Sequence, residues 1–292
     1  PVHRDAYQLA VDARDPRFDG VFFVGITTTR IYCRPVCRSR MAYDHHRRFF
    51  NSAAAAERAG YRPCLLCRPE LAPGAGRAKP DVVSRLARVA AERIAAGALN
   101  GHAVADLAAE LGVSERHLRR AFERELGVAP HELAQTHRLL LAKRLLVDTN
   151  LPVTRVAYAS GFQSLRRFNV VFREQYRMPP TALRRGRKAP PPPEAGVLGL
   201  TLSYRRPFAW ESLAAVARET RIALDGHTGI VSVENSANDG HLVVSISEAL
   251  WPVLMPLVAG LRRVFDLDAE PAVIDAHLGT NGLAELETGR DD

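Results

Sequence analysis

The chain has 292 residues, 47% of them hydrophobic and 25% charged, with 40 Lys plus Arg against 32 Asp plus Glu for a net charge of +8. That length accommodates two or three domains with cores of their own. No apolar run approaches the ~20 residues of a spanning helix, so no membrane partner is expected. The basic balance rests on arginine far more than on lysine, which favours a phosphate-rich partner such as nucleic acid.

The four cysteines of the chain lie in its first quarter, as Cys33-x3-Cys37 and Cys64-x2-Cys67. Two close pairs with a fold-back between them is the spacing of a tetrahedral four-thiolate zinc site, so all four read as ligands of one Zn2+. Such a centre carries a net charge of about −2. Arg30, Arg34, Arg38, Arg40, Arg62 and Arg68 ring it in the sequence. A structural clip has no need of so many cations, whereas a site that approaches a phosphodiester has. Arg30, Arg34, Arg40, Arg62 and Arg68 are therefore expected to meet DNA. Alternatives are a zinc clip without chemistry, a thiol redox sensor that releases zinc on oxidation, and a disulfide framework, against which the tight pairing argues. Reduced cysteines imply a cytoplasmic, nucleoid-associated protein of bacterial type.

The run Phe22-Phe23-Val24-Gly25-Ile26-Thr27-Thr28-Thr29-Arg30-Ile31-Tyr32-Cys33-Arg34-Pro35-Val36-Cys37-Arg38-Ser39-Arg40, then Phe49-Phe50, then Ala59-Gly60-Tyr61-Arg62-Pro63-Cys64-Leu65-Leu66-Cys67-Arg68-Pro69, closely resembles the N-terminal domain of the Ada family of DNA methyl-phosphotriester repair proteins. The resemblance implies a small zinc α/β module over residues 1–74. Cys33 would irreversibly accept a methyl group from a DNA methyl phosphotriester, and Cys37, Cys64 and Cys67 would complete the ligand set. The activity implied is that of a stoichiometric cysteine S-methyltransferase. Where that family often has Asn this chain has His46, and where it often has basic residues this chain has Leu65 and Leu66. Methylating Cys33 would take the centre from about −2 to about −1, and less negative charge facing the backbone should tighten DNA binding.

Pro73-Gly74-Ala75-Gly76-Arg77-Ala78-Lys79-Pro80 reads as a linker. Val83, Leu86, Ala90 and Ile94 then recur at helical spacing, with Gly97 near the end of that helix. A repeat follows: Leu107, Ala108, Gly112, Val113, Leu118, Phe122 and Pro130 recur about fifty residues on as Val156, Ala157, Gly161, Phe162, Phe168, Phe172 and Pro180. Each copy reads as helix, glycine turn and second helix, the helix-turn-helix plan, with a long helix around Arg138, Leu139, Ala142, Leu145 and Leu146 between the copies. The segment resembles the AraC-type DNA-binding domain, here placed at 80–186, though Arg177 stands where that family often has Gly. Leu118, Phe122, Phe168 and Phe172 should face the core, leaving the residues between them for DNA. Arg116, Arg120, Gln163 and Arg166 are the expected base readers, because Arg can fork onto guanine and Gln onto adenine. Arg119, Arg167 and Arg173 are expected on phosphates, and His117 and Ser164 complete the DNA-facing set. Double-stranded DNA, as methylated backbone and as promoter sites, is the expected partner, with RNA polymerase a further candidate for an activator.

Residues 187–196 form a basic, Pro-rich spacer. Beyond it Leu198, Leu200, Leu202 and Tyr204 alternate as a half-buried strand, and Phe208 to Arg218 reads as a helix. Gly229–Val233 and His241–Ile246 read as strands joined through Asn238-Asp239-Gly240, and a final helix spans Trp251 to Phe265 with a bend at Pro256. Arg205-Arg206-Pro207-Phe208-Ala209-Trp210, Arg262-Arg263-Val264-Phe265-Asp266-Leu267-Asp268-Ala269-Glu270-Pro271 and Asp275-Ala276-His277-Leu278 resemble the N-terminal α+β domain of AlkA-type 3-methyladenine DNA glycosylases. The resemblance implies an antiparallel-sheet α+β domain over 197–280, with 281–292 as a tail. In those enzymes a following helix-hairpin-helix domain carries the chemistry. No such hairpin is found before Asp292, so these residues are not expected to have glycosylase activity. A chain that begins at Pro1 is expected to be cut from a longer polypeptide with a glycosylase domain downstream. Asp266, Asp268, Asp275 and His277 read as caps and solvated loops rather than as a second metal site.

The expected whole is a multidomain α+β protein: zinc module, all-α double helix-turn-helix domain, then α+β sheet domain. Its expected role is that of a DNA alkylation-damage response protein, methylated at Cys33 and thereby activated as a sequence-specific transcriptional regulator. The alternative is a zinc-stapled DNA-binding regulator, or a module that delivers a glycosylase, without methyl transfer of its own.

Overall fold

A computed structural model describes residues 4–74, 84–185, 196–206, 208, 210–213, 219–236 and 240–269. The two linkers beyond Gly74 and Arg185 therefore lie mostly outside the described residues, as do Asp275, His277, Asn238 and Asp239.

The first unit runs α1 (Arg4–Asp12), β1 (Phe23–Ile26), β2 (Ile31–Cys33), β3 (Arg47–Phe50), α2 (Ala53–Arg58) and β4 (Arg62–Pro63), with the sheet ordered β3-β1-β2-β4. The alternation of a strand divides its core in two. Phe22, Val24 and Ile26 turn to α1, where Tyr7 stacks on Phe22 at 4.0 Å between ring centroids. Phe23, Tyr32 and Phe50 turn to α2 and Tyr61. Gly25 lets the two aromatics close in: a Cβ there would lie 2.6 Å from the Phe50 ring and 2.8 Å from Tyr61.

The second unit is helical: α3 (Arg85–Ala95), α4 (Val104–Glu110), α5 (Glu115–Leu126), α6 (Pro130–Asp148), α7 (Val153–Ala159), α8 (Leu165–Tyr176) and α9 (Pro180–Arg185). Ser84, Ser114 and Ser164 cap α3, α5 and α8, each accepting from the backbone N–H three residues on. Leu118, Phe122, Phe168 and Phe172 are fully buried, as the repeat predicts. The helix-turn-helix copies sit on either side of α6. Gly127 closes α5 at φ +68°, and Arg177 closes α8 in the same left-handed conformation at φ +57°. The departure from Gly is thus absorbed without a change of backbone, at a cost of about 1–2 kcal/mol.

The third unit comprises β5 (Val197–Ser203), α10 (Trp210–Leu213), β6 (Thr220–Leu224), β7 (His227–Ser236), β8 (His241–Ser247) and α11 (Leu254–Val264), with an antiparallel sheet ordered β5-β8-β7-β6. Strand β6 escapes a sequence reading because it is a short edge strand in which only Ile222 and Leu224 pack partly against the core. The final helix begins at Leu254, later than expected, because Glu248–Val253 takes the tighter 3-10 form around Pro252. Pro256 falls in the first turn of α11, where a missing N–H leaves no bond unmade, so no bend is required. Of the helix expected over 208–218, Trp210–Leu213 is described.

The units share their interiors. Leu200, Val244 and Leu254 of the third unit join one apolar core with Leu146, Phe168 and Phe172 of the second. Buried Arg205 donates to the carbonyls of Asp19 at 2.9 Å, Pro73 at 3.0 Å and Ala269 at 2.9 Å. Asp268 accepts from Gly74 N–H at 2.8 Å and from Arg262 Nε at 3.0 Å, so it clamps the end of the first unit to α11 rather than capping a helix or standing in a solvated loop as expected. No helix among the described residues is long and apolar enough to cross a membrane.

The two repeat glycines differ in what surrounds them. Gly161 has φ +89° and a Cβ there would sit 2.4 Å from Asn100 Nδ2, whereas Gly112 has φ +69° and open space. Asn100 accepts from Arg138 Nε at 2.7 Å and donates to Met255 Sδ at 3.1 Å, so displacing it loosens α6 and α11 together. Gly161→Ala should therefore cost about 2–4 kcal/mol and Gly112→Ala about 1–2 kcal/mol. Urea unfolding of the two variants measures the difference, and equal midpoints would contradict the role given to Asn100.

Candidate metal centre and nucleic-acid interface

Backbone pairing brings the cysteines together. Cys33 ends β2, and β4 runs parallel beside it with Tyr32 opposite Pro63, so that Cys64 N–H donates to Tyr32 O at 2.9 Å. A tight turn, Cys37 N–H to Arg34 O at 3.1 Å, swings Cys37 back to Cys33. The four Sγ atoms lie within 4.8 Å of one another. A zinc tetrahedron with bonds of ~2.3 Å needs sulfurs about 3.8 Å apart. Cys33, Cys37 and Cys64 are buried, Cys67 is less so, and no disulfide joins them.

Crowding makes these sulfurs interdependent. Hydrogen bonding with Cys37 pushes the Cys33 thiol up, while the same contact pulls Cys37 far down. The cluster thus resists becoming four thiolates unless a cation sits among them. Four soft donors at this spacing fit one Zn2+ held by Cys33, Cys37, Cys64 and Cys67.

The sulfurs are not equivalent. Cys67 Sγ accepts from Arg34 N–H at 3.3 Å, Cys64 Sγ accepts from Leu66 N–H at 3.4 Å, and Cys37 Sγ lies 3.0 Å from Ser39 Oγ. Among the described residues Cys33 Sγ receives no such N–H or O–H. It is the sulfur whose electron density is least drawn off, although Cys33 is only 4% exposed.

The arginines around the centre divide by role. Arg34 and Arg68, expected to meet DNA, are turned inward. Arg34 Nε binds Asp19 at 2.8 Å and its Nη1 donates to Cys67 O at 3.2 Å. Arg68, at φ +54°, forks onto Asp148 of α6 at 2.8 and 2.6 Å and binds Glu70 at 3.0 Å. Buried carboxylates consume these guanidinium groups, a pairing across units that no local spacing announces. Arg30 and Arg40 are exposed and Arg62 is half-buried. Arg30 lies 5.3 Å over the Tyr61 ring.

On the second unit, Arg116, His117, Arg119 and Arg120 of α5 are exposed, as are Gln163, Ser164, Arg166, Arg167 and Arg173 at and along α8. Arg116, His117, Arg120 and Arg124 line an open depression of about 430 Å³. Arg119 is tied to Glu115 at 2.7 Å, and the Ser164 hydroxyl serves as the cap of α8.

Sequence reasoning missed what lies behind the centre. Lys143 of α6 is 1% exposed; its Nζ donates to Cys64 O at 3.0 Å and pairs with buried Glu70. Glu57 is buried beside it, accepting from Tyr32 OH at 3.0 Å and Thr136 Oγ1 at 2.6 Å. Burial raises the Glu57 carboxyl to about 7, against the lowering effect of the two hydroxyls. A lysine and a threonine inside a helix look like surface residues until the first unit is docked there.

Comparison with known proteins places these units. Residues 6–70 match the metal-binding domain of Ada, 107–186 a helix-turn-helix domain, and 215–291 the AlkA N-terminal domain. A protein of Mycobacterium tuberculosis, "Probable bifunctional transcriptional activator/DNA repair enzyme AlkA", is 37% identical over 93% of this chain and 58% of its own length. The Escherichia coli "Bifunctional transcriptional activator/DNA repair enzyme Ada" is 35% identical over 47% of this chain and 36% of its own length. The Bacillus subtilis "Bifunctional transcriptional activator/DNA repair enzyme AdaA" is 26% identical over 60% of this chain and 80% of its own length. The chain thus joins an Ada-type metal-binding domain, a helix-turn-helix domain and an AlkA-type N-terminal domain, while spanning little more than half of the Mycobacterium relative.

Two measurements probe the buried charges. Lys143→Met strands Glu70 and should cost about 3–5 kcal/mol, and Lys143→Met with Glu70→Gln should regain at least half; thermal melting of zinc-loaded protein reads both. Glu57 has a folded value near 7, above its ordinary 4.5. The folded state therefore holds a proton that the unfolded chain gives up, and this group costs stability progressively as pH rises from about 4.5 to about 7. Glu57→Gln should remove that slope and be more stable than the parent at pH 8; an unchanged pH profile would place Glu57 outside this environment.

Proposed function

We propose that this chain takes a methyl group from DNA methyl phosphotriesters onto Cys33, once per molecule, and that its helix-turn-helix domain then acts as a sequence-specific transcriptional regulator. The observation that carries this is the inequality of the four sulfurs: Cys64 and Cys67 accept from backbone N–H groups, Cys37 lies against the Ser39 hydroxyl, and among the described residues Cys33 Sγ meets only its fellow sulfurs. Bound zinc supplies thiolate character at neutral pH. Cys33 Sγ then attacks the methyl carbon of the triester. A new S–C bond forms as the C–O bond breaks, and the electron pair leaves on the phosphate oxygen, restoring an ordinary phosphodiester anion. No proton moves, and the thioether formed has no route back, which makes the protein a reagent consumed by one repair.

Surrounding charges suit this substrate. Exposed Arg30 and Arg40 draw the backbone in, while inward-turned Arg34 holds the Cys67 loop against Asp19. On the helical domain we assign base reading to Arg116, Arg120, Gln163 and Arg166, and backbone contacts to Arg167 and Arg173, with His117 at the groove edge. Arg119 contributes to DNA binding only after leaving Glu115. The domain limits that fit these roles are 1–74, 80–186 and 197–280. A regulator of this kind engages promoter DNA and, as activator, RNA polymerase, in the bacterial cytoplasm.

Zinc-loaded protein incubated with duplex carrying methyl phosphotriesters should gain one methyl, found by peptide mass on the Cys33 peptide. Cys33→Ser should gain none while keeping its helix-turn-helix domain folded by circular dichroism. The methylated protein should bind promoter DNA more tightly than the unmethylated form at fixed salt. No added mass with zinc bound would leave the cysteines as a structural clip.

A further inference from the structure

The turn that leads into β3 has no part in the metal centre, yet it is built with unusual firmness. Asp44–His46 is a 3-10 turn closed by His46 N–H to Tyr43 O at 2.9 Å. Beneath it Arg47, its side chain 7% exposed, donates to Ala42 O at 2.7 Å and pairs with Asp12 of α1 at 2.7 Å and with Asp44 at 3.4 Å. Gln8 of α1 donates to Asp44 at 2.6 Å. On the other side Thr27 N–H donates to His46 O at 2.9 Å, and the Thr27 hydroxyl lies 3.3 Å from His46 Nδ1. The turn is thus fixed both to α1 and to the loop between β1 and β2.

This bracing presents an aromatic stack to solvent. Tyr43 is 72% exposed, and its ring lies within 5° of parallel to His45 at 5.9 Å. His45 in turn sits 4.1 Å from His46. Arg30, Arg38, Arg40 and Arg48 are exposed on the same module. A lone exposed tyrosine needs no explanation. A tyrosine stacked on a second ring, on a pinned turn, in a field of arginines, has the chemistry of a base-stacking platform.

Strand register relates the end of this turn to the reacting sulfur. Arg47 pairs with Ile26, and Ile26 with Ile31, two residues before Cys33. With strands ~4.8 Å apart and ~3.3 Å per residue, the start of β3 lies about 12 Å from Cys33, within a few base steps along one strand. Cys33 itself is only 4% exposed, so a smooth duplex offers its phosphates poorly to that sulfur. A wedge that unstacks a nearby step and kinks the strand would push a phosphate outward to meet it.

We infer that Tyr43, backed by His45, stacks on a base of the damaged duplex a few steps from the methylated phosphate and bends the strand so that the triester reaches Cys33. The inference rests on the reading that this module repairs DNA, and it names the feature of DNA that the module engages beyond the phosphate. Arg30, Arg40 and Arg48 hold the strand on either side.

The test uses the zinc-loaded full chain and a duplex with one methyl phosphotriester, with 2-aminopurine placed in turn at each of the flanking steps. The parent should change the 2-aminopurine fluorescence at one such step. Tyr43→Ala should lose that signal, bind the duplex about 10-fold or more weakly and methylate more slowly, while Tyr43→Phe keeps all three. Because Tyr43 is exposed, zinc content and melting temperature should not move in either variant, which excludes misfolding as the cause. Tyr43→Ala matching the parent in signal and affinity would overturn the wedge. Failure of the parent itself to take up a methyl would instead overturn the repair reading, while fluorescence and affinity would still report on the wedge.

Discussion

A buried ammonium group must be paired, and Lys143 is the point on which the arrangement of the three units turns. Its Nζ binds the carbonyl of Cys64 and the carboxylate of Glu70. Glu70 also takes Arg68, Arg68 forks onto Asp148, and Asp148 stands 4.0 Å from Arg144 one turn away on α6. Arg144 reaches the carbonyl of Thr201 in β5. Cation and anion thus alternate from the loop of the metal centre, through the helix between the two helix-turn-helix copies, to the sheet of the third unit. Lys143, Glu70 and Arg144 are too deeply buried to rely on water, so their pairing favours one relative placement of the units.

This dictates how the metal centre relates to DNA recognition. Cys64 is a ligand, and its backbone carbonyl is held by the helix that fixes the spacing of α5 and α8. Burial opposes the charge on Lys143 and lowers its value, with Glu70 as the main counterweight. A change in charge at the sulfurs is therefore felt by a partner already working against desolvation, in a medium that screens poorly. The electrostatic switch proposed for methylation has two routes: directly across the DNA-facing surface, and inward to α6.

The sequence disclosed the parts of this molecule whose chemistry is local. Cysteine spacing gave the ligand set, and the paired Leu118/Phe122 and Phe168/Phe172 gave the helical core. What stayed hidden is set by contact between distant segments. Arg34 and Arg68 look like DNA contacts beside a cysteine, and only docking against Asp19 and Asp148 reveals them as struts. Lys143, Thr136 and Glu57 look like an ordinary solvated face for the same reason. Strand β6 was illegible because its alternation is confined to Ile222 and Leu224, too short a run to mark a strand.

The same division of arginines bears on why a negatively charged centre can approach a polyanion. If all six arginines that ring the cysteines faced outward, the module would hold undamaged DNA by counterion release alone and discriminate little. With Arg34 and Arg68 committed to Asp19 and Asp148, the outward attraction falls to Arg30, Arg38, Arg40 and half-buried Arg62, set against four thiolates on one divalent ion. An intact diester then meets residual repulsion from the sulfurs, whereas a methyl triester, having lost its charge, does not. On the proposed function, discrimination for the lesion is sharpened because the protein interior withdraws two cations from the surface and so weakens the hold on undamaged DNA.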